Sequence, residues 1–509
     1  MSSRLEDRPP ASRERWVPPL WLKAFAGFFL LGGAWALAAP YEGTPDEADH
    51  VYRAVGIAHG EWIAEKGIWQ NVPQSLLSPR CFAGKPTQPA NCSREPGGDT
   101  SLKRVTTAAG RYNPVYYAIV GWPLRLWPNW TGILFARLLS AALVAALLGA
   151  ALQSTARWSR FPLLGAGLLA ATTPMTMHMA GAINPNALEI AAGTALFATL
   201  VPLLLDEAAE PRRAQLYLAG LAAVVLAIVR AFGPLWLVVA IGVLLVPSRR
   251  ALFSRLRHNR AVLACGALAV LGFVAGVAWT LFAKTGKPEV VNVPGHFTFF
   301  EALRFELALR VGAYAQEMVG VMSWLDTPMP GWVYLVWWSV LGFFTLSVLA
   351  FGTWIDRWRI IALTAATFGI PVLLDAIEVN TYGFVSQGRY VLPIAVGIPT
   401  IAAFAISARD ILSPTRAMTL TRTFVLLLLP LHLFCLGFTM VRWQSGTAAD
   451  LHAKSANPLA GAWHPPLGSL VPLLVACAGL VLLGFCYWRR GAQPESPPPA
   501  AGGTIPASP

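Results

Sequence analysis

Apolar runs of about twenty residues recur along the chain, separated by polar stretches of very unequal length. Twelve can be marked out: 19–39, 131–152, 163–183, 187–205, 214–230, 232–247, 261–283, 332–352, 360–378, 390–408, 423–440 and 469–488. Each approaches or reaches the length a helix needs to cross the hydrocarbon core of a bilayer. Helices satisfy every backbone polar group internally, so the pattern predicts an all-α polytopic membrane protein with about twelve transmembrane helices. The polar stretches 40–130, 284–331 and 441–468 are long, and the others are short.

Composition agrees with that class. Hydrophobic residues make up 55% of the chain and charged residues 13%, against roughly 25% charged in soluble domains. Mean hydropathy is +0.52. The net charge of +13 looks at first like a nucleic-acid signal, but the basic residues fall in alternate loops. Arg4, Arg8, Arg13 and Arg15 precede the first run, Arg157 and Arg160 follow the second, and Arg212 and Arg213 follow the fourth. Arg249, Arg250, Arg255, Arg257 and Arg260 follow the sixth, Arg357 and Arg359 the eighth, Arg416 and Arg422 the tenth, and Arg489 and Arg490 the twelfth. Positive residues stay inside, which puts both termini in the cytoplasm and the three long loops on the exterior face. No basic patch interleaved with aromatics suggests nucleic acid.

The first run has two readings. Ala36-Leu37-Ala38 resembles a signal-peptidase site, but the run is longer than a usual signal h-region, so an uncleaved anchor is favoured. Either reading leaves loop 40–130 outside. Cys81 and Cys92 both lie in that loop, in an oxidising compartment, and are expected to form a disulfide. The other cysteines fall in apolar runs. The expected organisation is a cytoplasmic N-terminus (1–18), a membrane core (19–408) carrying exterior loops 40–130 and 284–331, C-terminal helices (409–490) with loop 441–468, and a disordered Pro/Ala/Gly-rich tail (491–509). No Walker sequence, dinucleotide fingerprint or nucleophile elbow is present.

The candidate chemistry begins just after the first run. Thr44-Pro45-Asp46-Glu47 has the form of a helix start, with Thr as N-cap, Pro at the first position and Glu at the third. The helix is expected to run to about Gly60 and to carry Asp46, His50 and Arg53 on one face. Asp46 suits a general base or a metal ligand. Glu47 is either a second such carboxylate or only the capping-box acceptor. His50 is either an orienting group or a surface histidine, and Asp49 is expected to pair with Arg53. Ionisable residues inside membrane spans are costly and mark function. Here they are Arg137, Glu189, Arg230, Asp375 and Glu378, joined by Arg389 at the start of the tenth run. All fall toward the exterior, which predicts one outward-opening polar cavity; snorkelling is the competing account of the arginines. Gln387-Gly388-Arg389-Tyr390 offers a forked cation and an aromatic ring to a lipid phosphate bearing a sugar.

At this point four segments carry a resemblance. Pro45-Asp46-Glu47 with His50, Tyr52, Arg53 and Ala54, then Tyr112-Asn113-Pro114-Val115-Tyr116-Tyr117, then Ala182-Ile183-Asn184-Pro185-Asn186-Ala187-Leu188, and Gln387-Gly388-Arg389-Tyr390-Val391-Leu392-Pro393 occur in order. Together they resemble a bacterial membrane-protein family catalogued as a domain of unknown function and assigned to the GT-C superfamily of glycosyltransferases. Asn186 stands where the resemblance leads one to expect Asp. The resemblance implies an inverting transfer of sugar from a polyprenyl-phosphate donor to a cell-envelope glycan or lipid acceptor, on the exterior face of the bacterial inner membrane. Asp46, Glu47 and His50 are the expected catalytic residues. Arg53, Tyr112, Asn184, Glu189, Arg230, Glu378, Arg389 and Tyr390 are the expected substrate contacts. A divalent cation, magnesium or manganese, is expected at Asp46 and Glu47 if the enzyme uses one. A transporter or flippase of lipid-linked sugars, or a non-catalytic envelope-assembly partner, is the alternative.

Overall fold

In a computed structural model of the chain, the residues described are 19–209, 211–247, 259–285, 295–447 and 456–488. The expected cytoplasmic N-terminus, the tail, and the basic residues at 4–15, 249–257 and 489–490 lie outside them.

The described residues are mostly helical. In chain order the helices are α1 (Leu20–Ala38), α2 (Glu47–Ala58), α3 (Pro114–Val120), α4 (Trp122–Leu126), α5 (Trp130–Arg157), α6 (Leu164–Ala171), α7 (Pro174–Ala180), α8 (Pro185–Leu205), α9 (Arg213–Val229) and α10 (Gly233–Leu245). They continue with α11 (Arg260–Ala283), α12 (Phe299–Phe305), α13 (Val311–Gly320), α14 (Gly331–Phe351), α15 (Trp354–Tyr382), α16 (Gly388–Ala395), α17 (Gly397–Ala408), α18 (Pro414–Ser445) and α19 (Leu470–Trp488). Among the described residues, nine helices are long and apolar enough to cross a membrane, with α16 and α17 counted as one; α9 and α10 are shorter apolar helices.

The run expected as one span over 163–183 is two short helices. Pro174 begins α7, and Thr173 before it is extended, its hydroxyl accepting the Thr176 N–H. A residue preceding proline is forced out of the helical region, so the apolar run breaks at Thr172–Thr173. The chain breaks again at 181–184, where α8 starts on Asn184-Pro185; the Asn184 side chain caps the Asn186 N–H at 3.0 Å. Asn113-Pro114 starts α3 in the same way.

Small residues let the helices approach closely. A Cβ placed on Gly479 of α19 would lie 2.8 Å from the Gly27 carbonyl of α1. The C-terminal helices therefore pack directly on the first one rather than standing apart. The opposite character is seen on α11, where Leu263, Val270, Leu271, Val274, Leu281 and Phe282 are all exposed. An uninterrupted apolar surface of that kind suits lipid and not water.

The long loops gather at one end of the bundle. In loop 40–130, β1 (Trp69–Pro73) pairs antiparallel with β2 (Leu102–Thr106), and a disulfide joins Cys81 to Cys92. Arg442, fully buried near the end of α18, binds the loops together. It donates to the carbonyls of Gln88 (2.6 Å), Phe82 (3.0 Å) and Lys85 (2.9 Å) and to the Asp326 carboxylate (2.9 Å). One side chain from the C-terminal helices thus joins loop 40–130 to loop 284–331.

Candidate functional site

Asp46 does not sit inside a helix start. It precedes α2 with φ of +65°, in the left-handed region, and makes no capping hydrogen bond. Aspartate tolerates that conformation better than most residues. The helix thus begins at Glu47 and not at Pro45, with Thr44 outside it. The result is that Asp46 turns its carboxylate into a cavity while Glu47 turns away.

The cavity has a volume of about 640 Å³. Its walls come from the start of α2, the 108–112 strand exit, the α8 start, the α9–α10 corner, α13 and the 384–390 segment. Asp46 meets Arg389 at 2.6 Å, and its side chain keeps 43% exposure while that of Arg389 keeps 1%. Burial opposes ionisation of Asp46, but Arg389, with Arg230 beyond it, holds the carboxyl below its ordinary value. Two guanidiniums lie over the Tyr390 ring, that of Arg230 at 4.5 Å and that of Arg389 at 5.0 Å from its centre. Arg389 also donates to Gln387 Oε1 (2.6 Å) and to the Tyr390 hydroxyl (3.3 Å). Arg230 is anchored from behind by Glu189 at 3.2 Å, which Asn186 also contacts.

His50 lines the cavity and is nearly fully buried. Its Nδ1 is 2.8 Å from the Tyr117 hydroxyl, and no hydrogen bond to Nε2 is made among the described residues. Burial presses its pKa down to about 3, Asp46 only partly opposing. It is therefore a neutral imidazole over the physiological range, one nitrogen fixed by Tyr117. Tyr112 and Asn184 complete the expected residues in the wall.

Four expected residues stand elsewhere. Glu47 is completely buried. Its carboxylate takes a fork from Arg137 Nε (2.7 Å) and Nη2 (2.6 Å), and the N–H groups of Glu42 (3.1 Å) and Ile183 (3.3 Å). It is not a capping-box acceptor, and it has no free lone pair with which to join Asp46 around a cation. Among the described residues no three His, Cys, Asp or Glu side chains cluster as metal ligands. The Asp46–Glu47 pair expected as a metal site is thus not assembled. Arg53 faces away from Asp46, donating to the carbonyls of Glu61 (3.3 Å), Trp62 (2.6 Å) and Tyr112 (2.8 Å). It holds Tyr112 in place from outside the cavity. Asp49 pairs with Arg80 at 2.7 Å instead of with Arg53. Glu378 is exposed on α15, away from the cavity. Glu189 supports Arg230 without reaching the cavity itself.

Of the other in-span ionisable residues, Arg137 is sealed with Glu47. Asp375 accepts the Ser386 hydroxyl (2.7 Å) and N–H (3.0 Å). That last contact belongs to a set of tethers the sequence did not reveal. Arg310 donates to the Ser386 carbonyl at 2.6 Å, and Glu317 accepts the Gly388 N–H at 2.6 Å. Arg310 and Glu317 both line the cavity. Only glycine fits at 388, because a Cβ there would lie 2.2 Å from the Tyr314 carbonyl of α13. The segment carrying Arg389 is thus pressed onto α13 and held by three charged side chains. A signal was present: Glu306, Arg310 and Glu317 recur at helical spacing in the second-longest loop.

Residues 29–398 match the family described as "Predicted membrane protein (DUF2142)". No curated protein matches the chain. Among solved structures, ArnT from Cupriavidus metallidurans bound to undecaprenyl phosphate is similar, with a TM-score of 0.41 and 14% identity over 92% of this chain and 77% of that one. The same protein in the apo state gives 0.40 and 15% over 92% and 76%. At that level of likeness neither the fold class nor the chemistry of ArnT transfers to this chain.

Proposed function

Starting from a chain that belongs to the DUF2142 family of predicted membrane proteins, we propose that it is a GT-C-type glycosyltransferase that takes a sugar from a polyprenyl-phosphate donor. The observation that carries this reading is the meeting of Asp46 and Arg389. They are 343 residues apart in sequence and 2.6 Å apart in the cavity wall. A cation that can fork onto a phosphate therefore stands beside a carboxylate that can take a proton. The order of the four sequence segments that resemble the family supports the reading independently.

In this proposal the donor phosphate binds Arg389 and Arg230 across the Tyr390 ring. The donor is a phosphodiester with a single negative charge, and it competes with the Asp46 carboxylate for Arg389; with Arg230 also facing the phosphate, Asp46 is displaced. Freed of its cation, Asp46 becomes a better base, because the interaction that lowered its pKa is gone. The acceptor hydroxyl oxygen then attacks the anomeric carbon. Its proton passes to Asp46, the anomeric carbon–oxygen bond breaks with inversion, and the bonding pair stays on the leaving lipid-phosphate oxygen, whose new charge the two arginines stabilise. His50, neutral and fixed through Tyr117, presents Nε2 to the acceptor. With Glu47 committed to Arg137, no step is assigned to a metal.

The site would face the cell exterior, in the inner membrane, with an envelope glycan or lipid as acceptor. The test is incubation of purified protein, in liposomes, with radiolabelled polyprenyl-phosphate sugars and envelope acceptors. Transfer of label that disappears in Asp46→Asn is the expected result. Movement of labelled lipid between leaflets without transfer would instead support the transporter reading.

A further inference from the structure

Six Asp, Glu and Arg side chains line the cavity, and five of them touch an opposite charge: Asp46 and Arg389 each other, Asp49 with Arg80, Arg230 with Glu189 and Arg310 with Glu306. Glu317 is the sixth, and it has no ion-pair partner among the described residues. It is 8% exposed. One carboxylate oxygen accepts the Gly388 N–H at 2.6 Å, and the other accepts nothing among the described residues. That second oxygen stays accessible from the cavity Glu317 lines, while burial of the carboxyl raises its pKa against the pull of the Gly388 N–H, Arg310 and Arg389.

We propose that Glu317 reads the transferred sugar: its free oxygen accepts a hydrogen bond from a hydroxyl or amine substituent of that sugar, while the lipid phosphate sits on Arg389. The proposal rests on the transferase reading above. Its geometry follows from chain connectivity. Gly388, bonded to Glu317, and Arg389, bonded to Asp46, are consecutive residues whose Cα atoms are about 3.8 Å apart. Glu317, Asp46 and Arg389 all line one cavity, so a group bound on Arg389 shares that space with both carboxylates. A sugar is the first thing attached to a donor phosphate, so it must occupy the space beside Arg389. Asp46 is needed at the acceptor hydroxyl, which leaves Glu317 for the sugar's own substituents. The competing account is that Glu317 only tethers Gly388 and so positions Arg389.

Glu317→Gln separates the two accounts. Its amide oxygen can still accept the Gly388 N–H, so the tether survives, but the cavity then meets an NH2 donor in place of an acceptor. Purified wild type and variants in nanodiscs are titrated with a bare polyprenyl phosphate and with the same lipid carrying a hexose or an amino hexose. The bare lipid is a monoester with up to two charges and the sugar-bearing lipid a singly charged diester, so each variant is compared with wild type on the same lipid. Glu317→Gln should lose about ten- to a hundredfold for the sugar-bearing lipid and stay within about twofold for the bare lipid. Glu317→Asp, which keeps the charge one methylene short, should show a smaller loss of the same kind and serves if the Gln variant does not fold. The hexose and amino-hexose arms show which donor is read. Equal loss on both lipids would overturn the proposal in favour of the tether, and so would no loss on either. Binding of neither lipid would bring down the transferase reading itself.

Discussion

Asp46 and Arg389 are each other's partner, and that gives their substitutions opposite signs in binding. Asp46→Asn removes the carboxylate that competes for the guanidinium. It should abolish transfer yet tighten binding of a bare polyprenyl phosphate by about two- to tenfold, the worth of a half-exposed ion pair. Arg389→Ala should weaken the same binding by about ten- to a hundredfold, and Arg389→Lys by less, since it keeps charge but loses the fork. Weaker lipid binding in Asp46→Asn would show that Asp46 helps to hold the phosphate, for instance through a cation, and would end the displacement mechanism. A second residue-scale effect lies at Glu42. Its carboxyl is buried against Ser78 and Arg80, and burial raises its pKa to about 7. Below about pH 4.5 it is protonated in both the folded and the unfolded chain. As pH rises toward 7 the unfolded chain ionises first, so the fold loses stability at about 1.4 kcal/mol per unit. Glu42→Gln lacks this titration. The melting temperature of wild type should therefore fall relative to Glu42→Gln between pH 4.5 and 7, and the gap should stay constant above. A gap independent of pH would mean that Glu42 titrates normally.

At the scale of elements, the neighbouring acids Asp46 and Glu47 do different work because α2 starts between them. Glu47 joins the start of α2 to α5 through Arg137, which also donates to the carbonyls of Ala36, Ala39 and Pro40 at the end of α1. Breaking one partner of a buried pair leaves the other charge uncompensated, at a cost of about 3–5 kcal/mol. Glu47→Gln should accordingly lower thermal stability in detergent markedly, whereas Asp46→Asn, which gives up a carboxylate that is 43% exposed and leaves Arg389 its bond to Gln387, should lower it less. Equal melting temperatures for the two variants would contradict the assignment of Glu47 to structure. The 384–390 segment follows the same logic: Gly388 lies against α13, and Asp375, Arg310 and Glu317 hold its backbone, so the Arg389 guanidinium is placed before any substrate arrives.

For the whole molecule, the gathering at one end of loop 40–130 with the described parts of the loops 284–331 and 441–468 makes sidedness the decisive question. Asp99 is exposed in the first loop. Asp99→Cys should react with a membrane-impermeant maleimide in intact cells or spheroplasts, given the basic residues expected on the opposite face. Labelling only after lysis would place the cavity in the cytoplasm and remove an exterior polyprenyl-phosphate donor from consideration.

Much of this molecule can be read from the order of its residues. Apolar runs of bilayer length forecast a helical membrane protein, because the backbone leaves lipid no other common solution. Asp46, His50, Arg230, Arg389 and Tyr390 could be picked out in advance because polar groups beside or within apolar runs are costly unless used, whereas Tyr112 and Asn184 came only from the resemblance to a family. What periodicity cannot give is the rotation of one helix against another or the partner of a charge hundreds of residues away. Glu47 and Arg53 look as functional as Asp46 along the chain, yet packing turned one onto Arg137 and the other onto backbone carbonyls. Glu378 shares the sequence context of a site residue and faces outward. Arg310 and Glu317 sit in an unremarkable loop until α13 is laid against Gly388. The composition of the cavity was thus largely local information, while its arrangement, with a carboxylate on a guanidinium and a second carboxylate left free, came from long-range packing.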